Sequence, residues 1–364
     1  MTTPSNTTWE LSPHTRAKHE ILRRYLGAWF PILGSGHGRI VYIDGFCGPG
    51  IYDGGEPGSP VIALESALKH TGRLGDTDVV FWFLDKEVKR IAQLDAQLTQ
   101  IDKPQNFKTH VQQGEFEHEF RRLLDDLTSR NAQLAPTFAF IDPFGFKDVP
   151  FDLVSRLLTY RSCEALIYFP VDAVNRWLEH DNTKVLQHIQ DLLGIDDPQT
   201  VVSLPGGRVQ NLRMLYQQQL LTVARFVRYF EMRNTVDRPI YYLFFASNHA
   251  LGHKKMKEVF WAVDAAGGYR FSDATNPDQL LLFDEDPAPK LAVDMQTRFA
   301  GRTTKVAKIA SWVDDETAFI EKHMKAALKL LETNRSIEVE PVKSDGSKRK
   351  AGTFPPDVIV NFAG

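Results

Sequence analysis

One short segment constrains the fold more than any other part of the chain. The apolar run from Ile40 to Ile43 ends at Asp44 and is followed by three glycines, Gly45, Gly48 and Gly50. A short run of β-branched and aromatic residues predicts a strand buried on both faces. Glycine permits a positive φ and lets a ligand approach the backbone closely. No Gly-Lys-Ser/Thr follows, so the turn is not a Walker-type phosphate loop. We therefore predict a buried strand that ends in a turn suited to a nucleotide-like cofactor.

This turn resembles the Asp-x-Phe-x-Gly-x-Gly turn that ends the first strand of S-adenosylmethionine (SAM) methyltransferases. The resemblance assigns cofactor binding to Asp44, Gly45, Phe46, Gly48 and Gly50. Taken alone, the segment also fits a tight structural turn after a core strand. Further motifs are needed to decide between these interpretations.

Two more acidic residues follow predicted strands and extend the candidate cofactor site. An apolar run from Asp78 to Leu84 ends at Asp85, where a carboxylate suits hydrogen bonds to ribose hydroxyls. The interval from Asp44 exceeds the usual ~20 residues because the loop and helix between the strands are longer. A third strand, from Phe107 to Val111, precedes Glu115 at a turn where such sites often hold an adenine ring. Glu115 also fits as the cap of the next helix.

Another acid-terminated strand carries the candidate acceptor site. The apolar run from Thr137 to Ile141 is followed by Asp142, Pro143 and Phe144. This resembles the Asp/Asn-Pro-Pro-Tyr/Phe motif of amino-directed nucleic-acid methyltransferases. There the acid and a backbone carbonyl accept hydrogen bonds from the target amine, and the aromatic ring stacks on the flipped base. A phenylalanine replaces the second proline, so either Phe144 or Phe146 would supply the ring. The alternative is a plain strand and turn.

Strands and helices alternate along residues 1–284. Apolar runs from Glu164 to Pro170 and from Pro239 to Ala246 are further predicted strands. This alternation indicates βαβ units around a parallel sheet. Residues 172–235 are interpreted as a mostly helical insertion that could form part of the substrate cleft. We therefore predict an α/β fold with a doubly wound, Rossmann-like sheet of the class I methyltransferase type.

The segment from Pro13 to Phe30 has apolar residues at helical spacing and several basic residues between them. It predicts an amphipathic helix packed across the first strand, with a solvated basic side. A second interpretation puts His14, Arg16, Lys18 and His19 at the mouth of the cofactor site, facing an anionic substrate. The sequence leaves both open.

Composition narrows the class of protein. The net charge of −3 argues against a globally basic nucleic-acid coat, although a local basic face remains possible. The two cysteines, Cys47 and Cys163, lie far apart without metal-ligand spacing, so we expect neither a disulfide nor a metal site. No apolar run approaches the ~18 residues that a membrane span needs. A soluble cytoplasmic protein without membrane contact is expected.

The acidic, proline-bearing stretch from Glu285 to Pro289 predicts a domain boundary, with a second domain at 290–364. Helices are predicted near 290–299, 303–312 and 315–333, and strands near 337–342 and 358–362. The loop between these strands holds Lys348, Arg349 and Lys350. This layout is typical of a winged helix-turn-helix, and the three basic residues would contact nucleic-acid phosphates. The alternatives are a solvated helix face with a floppy loop, or a protein-docking module.

Taken together, these motifs resemble the three-Cys-motif partner (TcmP) family along nearly the whole chain, including a C-terminal winged helix. The matching segments are Trp9-x-Leu11-x-Pro-His-Thr15 with Lys18-His19 and Leu22, the glycine turn, Gly58-Ser-Pro60, Ile141 to Gly145, Phe245-Ala-Ser-Asn248 and Met256-Lys-Glu258. The resemblance implies a class I SAM-dependent methyltransferase and a separately encoded companion protein with a three-cysteine motif. It does not settle the substrate.

The sequence therefore predicts an enzyme, a SAM-dependent methyltransferase that acts on an amine of a nucleic-acid base. Asp142, Pro143 and Phe144 would face the acceptor. Two alternatives stay open: a SAM-binding regulator without catalysis, and an interaction subunit that serves only its companion.

Overall fold

The computed structural model describes residues 6–264, 270–272, 286–342 and 345–363. These residues form two compact units. The first contains residues 6–263 and 270–272, and the second contains residues 264, 286–342 and 345–363. No helix among the described residues is both long and apolar enough to cross a membrane.

The first unit is built on a single sheet with the strand order β3-β2-β1-β4-β5-β7-β6-β8. Neighbours from β3 through β5 pair in parallel, whereas β7 is antiparallel to both β5 and β6. The prediction of a Rossmann-like α/β fold is confirmed. The strands are β1 Arg39–Asp44, β2 Asp78–Asp85, β3 Phe107–Gln113, β4 Thr137–Ile141, β5 Cys163–Phe169, β6 Phe226–Arg233, β7 Pro239–Ser247 and β8 Arg270–Ser272.

Helices connect these strands and bury their apolar faces against the sheet and against one another. The first helix, α1, buries Ile21, Leu22, Tyr25 and Leu26, as the spacing of these residues predicts, and packs against α2 and α10. The helices are α1 Pro13–Gly34, α2 Ser59–Leu68, α3 Thr71–Leu74, α4 Val88–Thr99, α5 Phe116–Ser129, α6 Phe151–Thr159, α7 Val171–Trp177, α8 Thr183–Leu193, α9 Arg208–Leu221 and α10 Ala250–Val263, with a 3₁₀ helix at Pro198–Ser203.

The predicted helical insertion at 172–235 is wrong over its last part. Helices α7, α8 and α9 and the 3₁₀ helix lie in it, but Phe226–Arg233 is strand β6. This strand pairs with β7 on one side and with β8 on the other. Two arginines and a glutamate interrupt the apolar residues of this segment, so the strand is not evident from the sequence without its pairing partners.

The described residues of the second unit form three helices and a three-stranded antiparallel sheet in the order β10-β11-β9. The helix predicted near 303–312 instead begins at Val306, because residues 303–305 pair with β11 as a strand. The apolar sequence at 279–283 fits either a last strand or a segment packed under the preceding loop, and it lies outside the described residues. The elements are α11 Ala288–Phe299, β9 Thr303–Lys305, α12 Val306–Glu316, α13 Glu321–Thr333, β10 Ile337–Val339 and β11 Ile359–Phe362.

Candidate active site

Two adjoining cavities open where β1, β2 and β4 end. Strands β1 and β4 are direct neighbours, so the glycine turn after β1 and the segment after β4 leave the sheet side by side. The first cavity has a volume of about 300 Å³ and is lined by both segments. The second measures about 560 Å³ and reaches the ends of β2 and β3. Phe46, Phe144 and Gly145 line both cavities. Ligands of doubly wound sheets bind at this edge.

The glycines of the turn serve different purposes. Gly48 has φ +62°, and a Cβ built there would approach the Trp9 ring at an ordinary 3.5 Å, which leaves room on the side that lines the first cavity. A Cβ at Gly50 would lie 2.6 Å from Leu94 of helix α4, and one at Gly45 would lie 2.5 Å from the Phe116 ring. Gly45 and Gly50 are therefore required by the packing of the chain itself, and Gly48 is the glycine that leaves space for a ligand.

Asp44 is fully buried at the end of β1. The Phe46 backbone N–H donates to its Oδ1 over 3.3 Å, and the Tyr42 hydroxyl donates to Oδ2 over 3.4 Å. Burial raises the pKa of Asp44 to about 7, and the charge of Asp142 adds to the rise, against hydrogen bonds from Ser59, Phe46 and Tyr42. Near neutral pH this carboxyl can gain or lose its proton, so a cation bound close to it would favour the ionised form.

Asp85 lines the second cavity and also fastens the glycine turn. Its carboxylate accepts hydrogen bonds from the backbone N–H of Gly48 at 3.1 Å and of Glu87 at 2.8 Å. Arg90 lies 3.7 Å from the same carboxylate, and both side chains are almost fully buried. Burial raises the pKa of Asp85, and these partners oppose the rise. Glu115 lines the second cavity as well. It occupies the N-cap position of α5, as the alternative interpretation of the sequence expects, but its side chain makes no capping hydrogen bond there.

The acceptor motif faces the first cavity with its acid already in contact with a cation. The Lys18 ammonium donates to Oδ2 of Asp142. Pro143 and Phe144 line the first cavity beside Asp142, whereas Phe146 packs into the core and lines only the second cavity. Of the two aromatic residues that the sequence left open, Phe144 is thus the one that shares the first cavity with Asp142.

The basic residues of α1 are separated by the fold. Lys18 and His19 line the first cavity together with His14, while Arg16 points to Glu56 at 3.4 Å. Lys18 faces the protein's own Asp142, so the anion it meets is not a substrate group. Burial, together with the charges of Lys18 and Arg23, lowers the pKa of His19 to about 3, so the ring is neutral. Within the described ranges its Nδ1 is buried without a hydrogen-bond partner.

Sequence reasoning missed most of the aromatic wall. Trp9 lies edge-on to Tyr52 at 5.8 Å and to Phe144 at 5.5 Å between ring centroids. The Arg90 guanidinium stands over the rings of Trp9 and Phe144 at 5.1 and 5.5 Å. Across the cavity, Tyr168 packs against Tyr241 at 4.6 Å. Trp9 lies in the segment whose sequence resembles the TcmP family, which was a usable signal, but nothing local singles out Arg90 or the tyrosines.

In the second unit, the three basic residues of the loop between β10 and β11 differ in exposure. Lys348 and Lys350 are exposed. Arg349, however, turns inward: its side chain is 5% exposed and pairs with Glu332 of α13. It also donates to the carbonyls of Glu340 at 3.1 Å and Thr353 at 2.8 Å. The prediction that Arg349 contacts phosphate is therefore corrected, because its guanidinium is used within the loop.

No cluster of three or more His, Cys, Asp or Glu side chains that could hold a metal ion occurs in the described parts of the chain. The fold and the site define a Rossmann-like α/β protein whose sheet carries one antiparallel strand, β7, between β5 and β6. The two joined cavities lie at the sheet edge where such proteins bind their ligands.

Comparisons with known proteins add little to this description. No family model and no curated protein matches the chain. Several solved structures are similar at low levels, among them the following three. The cyclopropane synthase MmaA2 from Mycobacterium tuberculosis is 7% identical, with a TM-score of 0.27 over 70% of this chain and 74% of that one. Trm1 from Pyrococcus horikoshii, in complex with S-adenosyl-L-methionine, is 12% identical, with a TM-score of 0.33 over 99% of this chain and 93% of that one. A loganic acid methyltransferase with SAH is 9% identical, with a TM-score of 0.25 over 100% of this chain and 99% of that one. At these values none of the three carries an argument about activity.

Proposed function

We propose that this protein is a SAM-dependent methyltransferase that acts on an amine of a nucleic-acid base. One observation carries the proposal: the glycine turn after β1 and the Asp142–Phe144 segment after β4 line the same cavity. Their adjacency follows from the pairing of β1 with β4, which brings residues about a hundred positions apart to one edge of the sheet. A plain structural turn in either place would not require a shared cavity.

The residues at this edge fit SAM. Gly48 leaves open space beside the first cavity, and Asp85 and Glu115 line the second cavity, where the adenosine half would lie. Asp44 is buried and lines neither cavity, so it would act on the positive sulfonium through its charge and not by direct contact. The volumes of the two cavities fall in the range of small-molecule sites. Bound there, the cofactor would supply a methyl group for transfer to nitrogen and leave as S-adenosylhomocysteine.

The acceptor side favours a flat, amine-bearing ring. Asp142 offers a carboxylate oxygen to an N–H donor, and Phe144 presents a ring beside it. Trp9, Tyr52, Tyr168 and Tyr241 supply further aromatic surface, which suits stacking on a base taken out of a helix or a single strand. The proton lost from the methylated nitrogen would pass to Asp142 or to water.

The second unit is proposed to be a winged helix-turn-helix domain. Its order of elements, with one strand between the first two helices and a hairpin after the third, supports this assignment. Lys348 and Lys350 in the hairpin loop are the residues proposed to meet phosphates. Docking of a three-cysteine companion protein on this unit is the alternative role.

Two substitutions test the proposal at its two halves. Gly48→Asn keeps a residue that tolerates a positive φ but fills the open space, so calorimetry should show loss of SAM binding in a folded protein. Asp142→Ala should keep the SAM affinity and reduce methyl transfer to adenine- and cytosine-containing single-stranded oligonucleotides on the order of 10²-fold or more. Unchanged SAM binding in Gly48→Asn would remove the cofactor assignment. Full turnover in Asp142→Ala would remove the amine-directed mechanism.

A further inference from the structure

We infer that Lys18 is the positioning residue of the acceptor site: it holds Asp142 so that one carboxylate oxygen remains free for the acceptor amine. The inference rests on the proposed function. Its basis is the ion pair between Lys18 Nζ and Asp142 Oδ2, which joins the first helix to the end of β4. The two side chains are 9% and 19% exposed, so the pair is shielded from water on most sides.

The fold fixes Lys18 from its backbone outward. Helix α1 is capped by the Ser12 side chain, and Ala17, His19 and Ile21 around Lys18 are buried. The ammonium also stands 5.9 Å from the centre of the Tyr168 ring, on the opposite cavity wall. The helix fixes the backbone of Lys18, and the contacts of its ammonium group fix the end of the side chain. Asp142 therefore has a partner in a fixed position, in contrast to the flexible lysines of exposed ion pairs.

This pairing leaves a defined geometry for a ligand. A carboxylate has two oxygens and about four lone-pair directions. With Oδ2 bonded to Lys18, rotation of the carboxylate is restricted, and Oδ1 is the oxygen without that bond. Because methyl transfer depends on the direction of the attacking nitrogen, a fixed acceptor oxygen contributes through orientation.

The positive charge of Lys18 also compensates the negative charge of Asp142. Asp44 and Asp142 lie near enough that the charge of Asp142 raises the pKa of Asp44. Burial raises the pKa values of Tyr52, in the loop after β1, and of Tyr168, in β5, and the charge of Asp142 adds to both rises. Lys18 is the cation bonded to this cluster, and its removal would leave a largely buried carboxylate uncompensated.

The test compares Lys18→Met, which keeps length and apolar bulk, with Lys18→Arg, which restores the charge. The matched control is Arg24→Met, since Arg24 forms an exposed ion pair with Glu20 on the same helix. With single-stranded DNA and RNA oligonucleotides that contain adenine and cytosine as probes, Lys18→Met should lower kcat about 10²-fold while the Kd for SAM stays unchanged. Lys18→Arg should recover most of the loss, and Arg24→Met should behave like the unsubstituted protein. An unchanged kcat in Lys18→Met, or no recovery in Lys18→Arg, overturns the inference.

Two further readouts separate this inference from the proposed function. If the unsubstituted protein methylates none of the probes, the proposed function fails on these acceptors, and a thermal double-mutant cycle still tests the pair. Lys18→Met should lower the melting temperature, and adding Asp142→Asn should recover part of it, because the uncompensated charge is then gone. Purely additive effects overturn the inference. Mass spectrometry after incubation with SAM should find Lys18 unmodified; a methylated Lys18 would make it an acceptor and contradict the positioning role.

Discussion

Asp44 illustrates how a single buried carboxyl can couple the cofactor site to pH. Its ordinary pKa of 3.8 is raised to about 7 by burial, with Asp142 adding to the rise. A raised pKa in the folded protein means that ionisation costs stability, and this cost grows as pH increases from about 4 to about 7. Over that range it amounts to about 4 kcal/mol. A buried carboxyl whose ionisation lowers the stability of the fold this much suggests that its negative charge has a role. A cationic ligand would supply the compensating positive charge.

At the residue scale we therefore predict that SAM binds more tightly as pH rises toward 7. Below that pH the free protein holds a proton on Asp44 that the positive sulfonium would expel, so the Kd should fall up to about tenfold per pH unit and level off above pH 7. Calorimetry at several pH values between 5.5 and 8.5 measures this. Asp44→Asn should bind SAM weakly and without this slope. A Kd that is flat across the same range in the unsubstituted protein would separate Asp44 from the cofactor.

Among single residues, the sequence predicted those that follow directly on an apolar run. Asp44, Asp85 and Asp142 each end an apolar run, and a parallel sheet necessarily brings such ends to one edge. Lys18 and Arg90 could not be found in this way, because their partners, Asp142 and Asp85, are reached only through the packing of α1 and α4.

At the scale of elements, the loop between β10 and β11 is fastened from inside. Arg349 links it to α13 through Glu332, bonds two carbonyls of the loop and lies 5.6 Å from the Phe354 ring. The floppy loop considered from the sequence does not describe residues 345–363, where these contacts hold the chain. The neighbouring Lys348 and Lys350 have exposed side chains and do not hold the loop in this way.

Arg349→Ala should therefore loosen this element, whereas Lys348→Ala should not. The loss of the pair leaves Glu332 partly buried without its partner, so we expect a destabilisation of about 2 kcal/mol, less than for a fully buried pair because Glu332 is 25% exposed. Hydrogen exchange read by mass spectrometry over residues 337–362 measures the effect within this unit. Lys348→Ala should stay within about 0.5 kcal/mol of the unsubstituted protein. Equal protection in both variants would show that Arg349 does not hold the loop.

The strands that the sequence did not predict share a physical cause. Residues 226–233 form a strand only because β7 and β8 lie on either side, and residues 303–305 only because β11 pairs with them. Pairing partners distant in the sequence decide such segments, and local propensity contributes little to the outcome. The strands β1, β2, β4 and β5 were predictable because nearly continuous apolar runs identify them without their partners.

On the scale of the whole molecule, the chain has a net charge of −3, so contact with nucleic acid has to depend on local groups. The exposed cations of the second unit include Lys348 and Lys350 and the three lysines along α13, Lys322, Lys325 and Lys329. Of these, Lys325 pairs with Glu321 at 2.6 Å on the same helix. The proposed catalytic cavity belongs to the first unit alone. Gripping a long substrate and transferring a methyl group can thus be tested separately.

The last prediction uses that separation. If Lys348 and Lys350 contact phosphates, replacing both by alanine should weaken binding of long nucleic acid regardless of its sequence and lower the slope of log K against log salt by about 1 for each lost contact. Methyl transfer to a short oligonucleotide that reaches only the first unit should be unaffected, because no residue of its cavity has changed. Fluorescence anisotropy at several salt concentrations measures the slope. Arg335→Ala is the control for the loss of a cation elsewhere on this unit. A salt-independent affinity, or one untouched by the double substitution, would instead favour the second unit as a protein-docking surface, with the three-cysteine companion as the first partner to test.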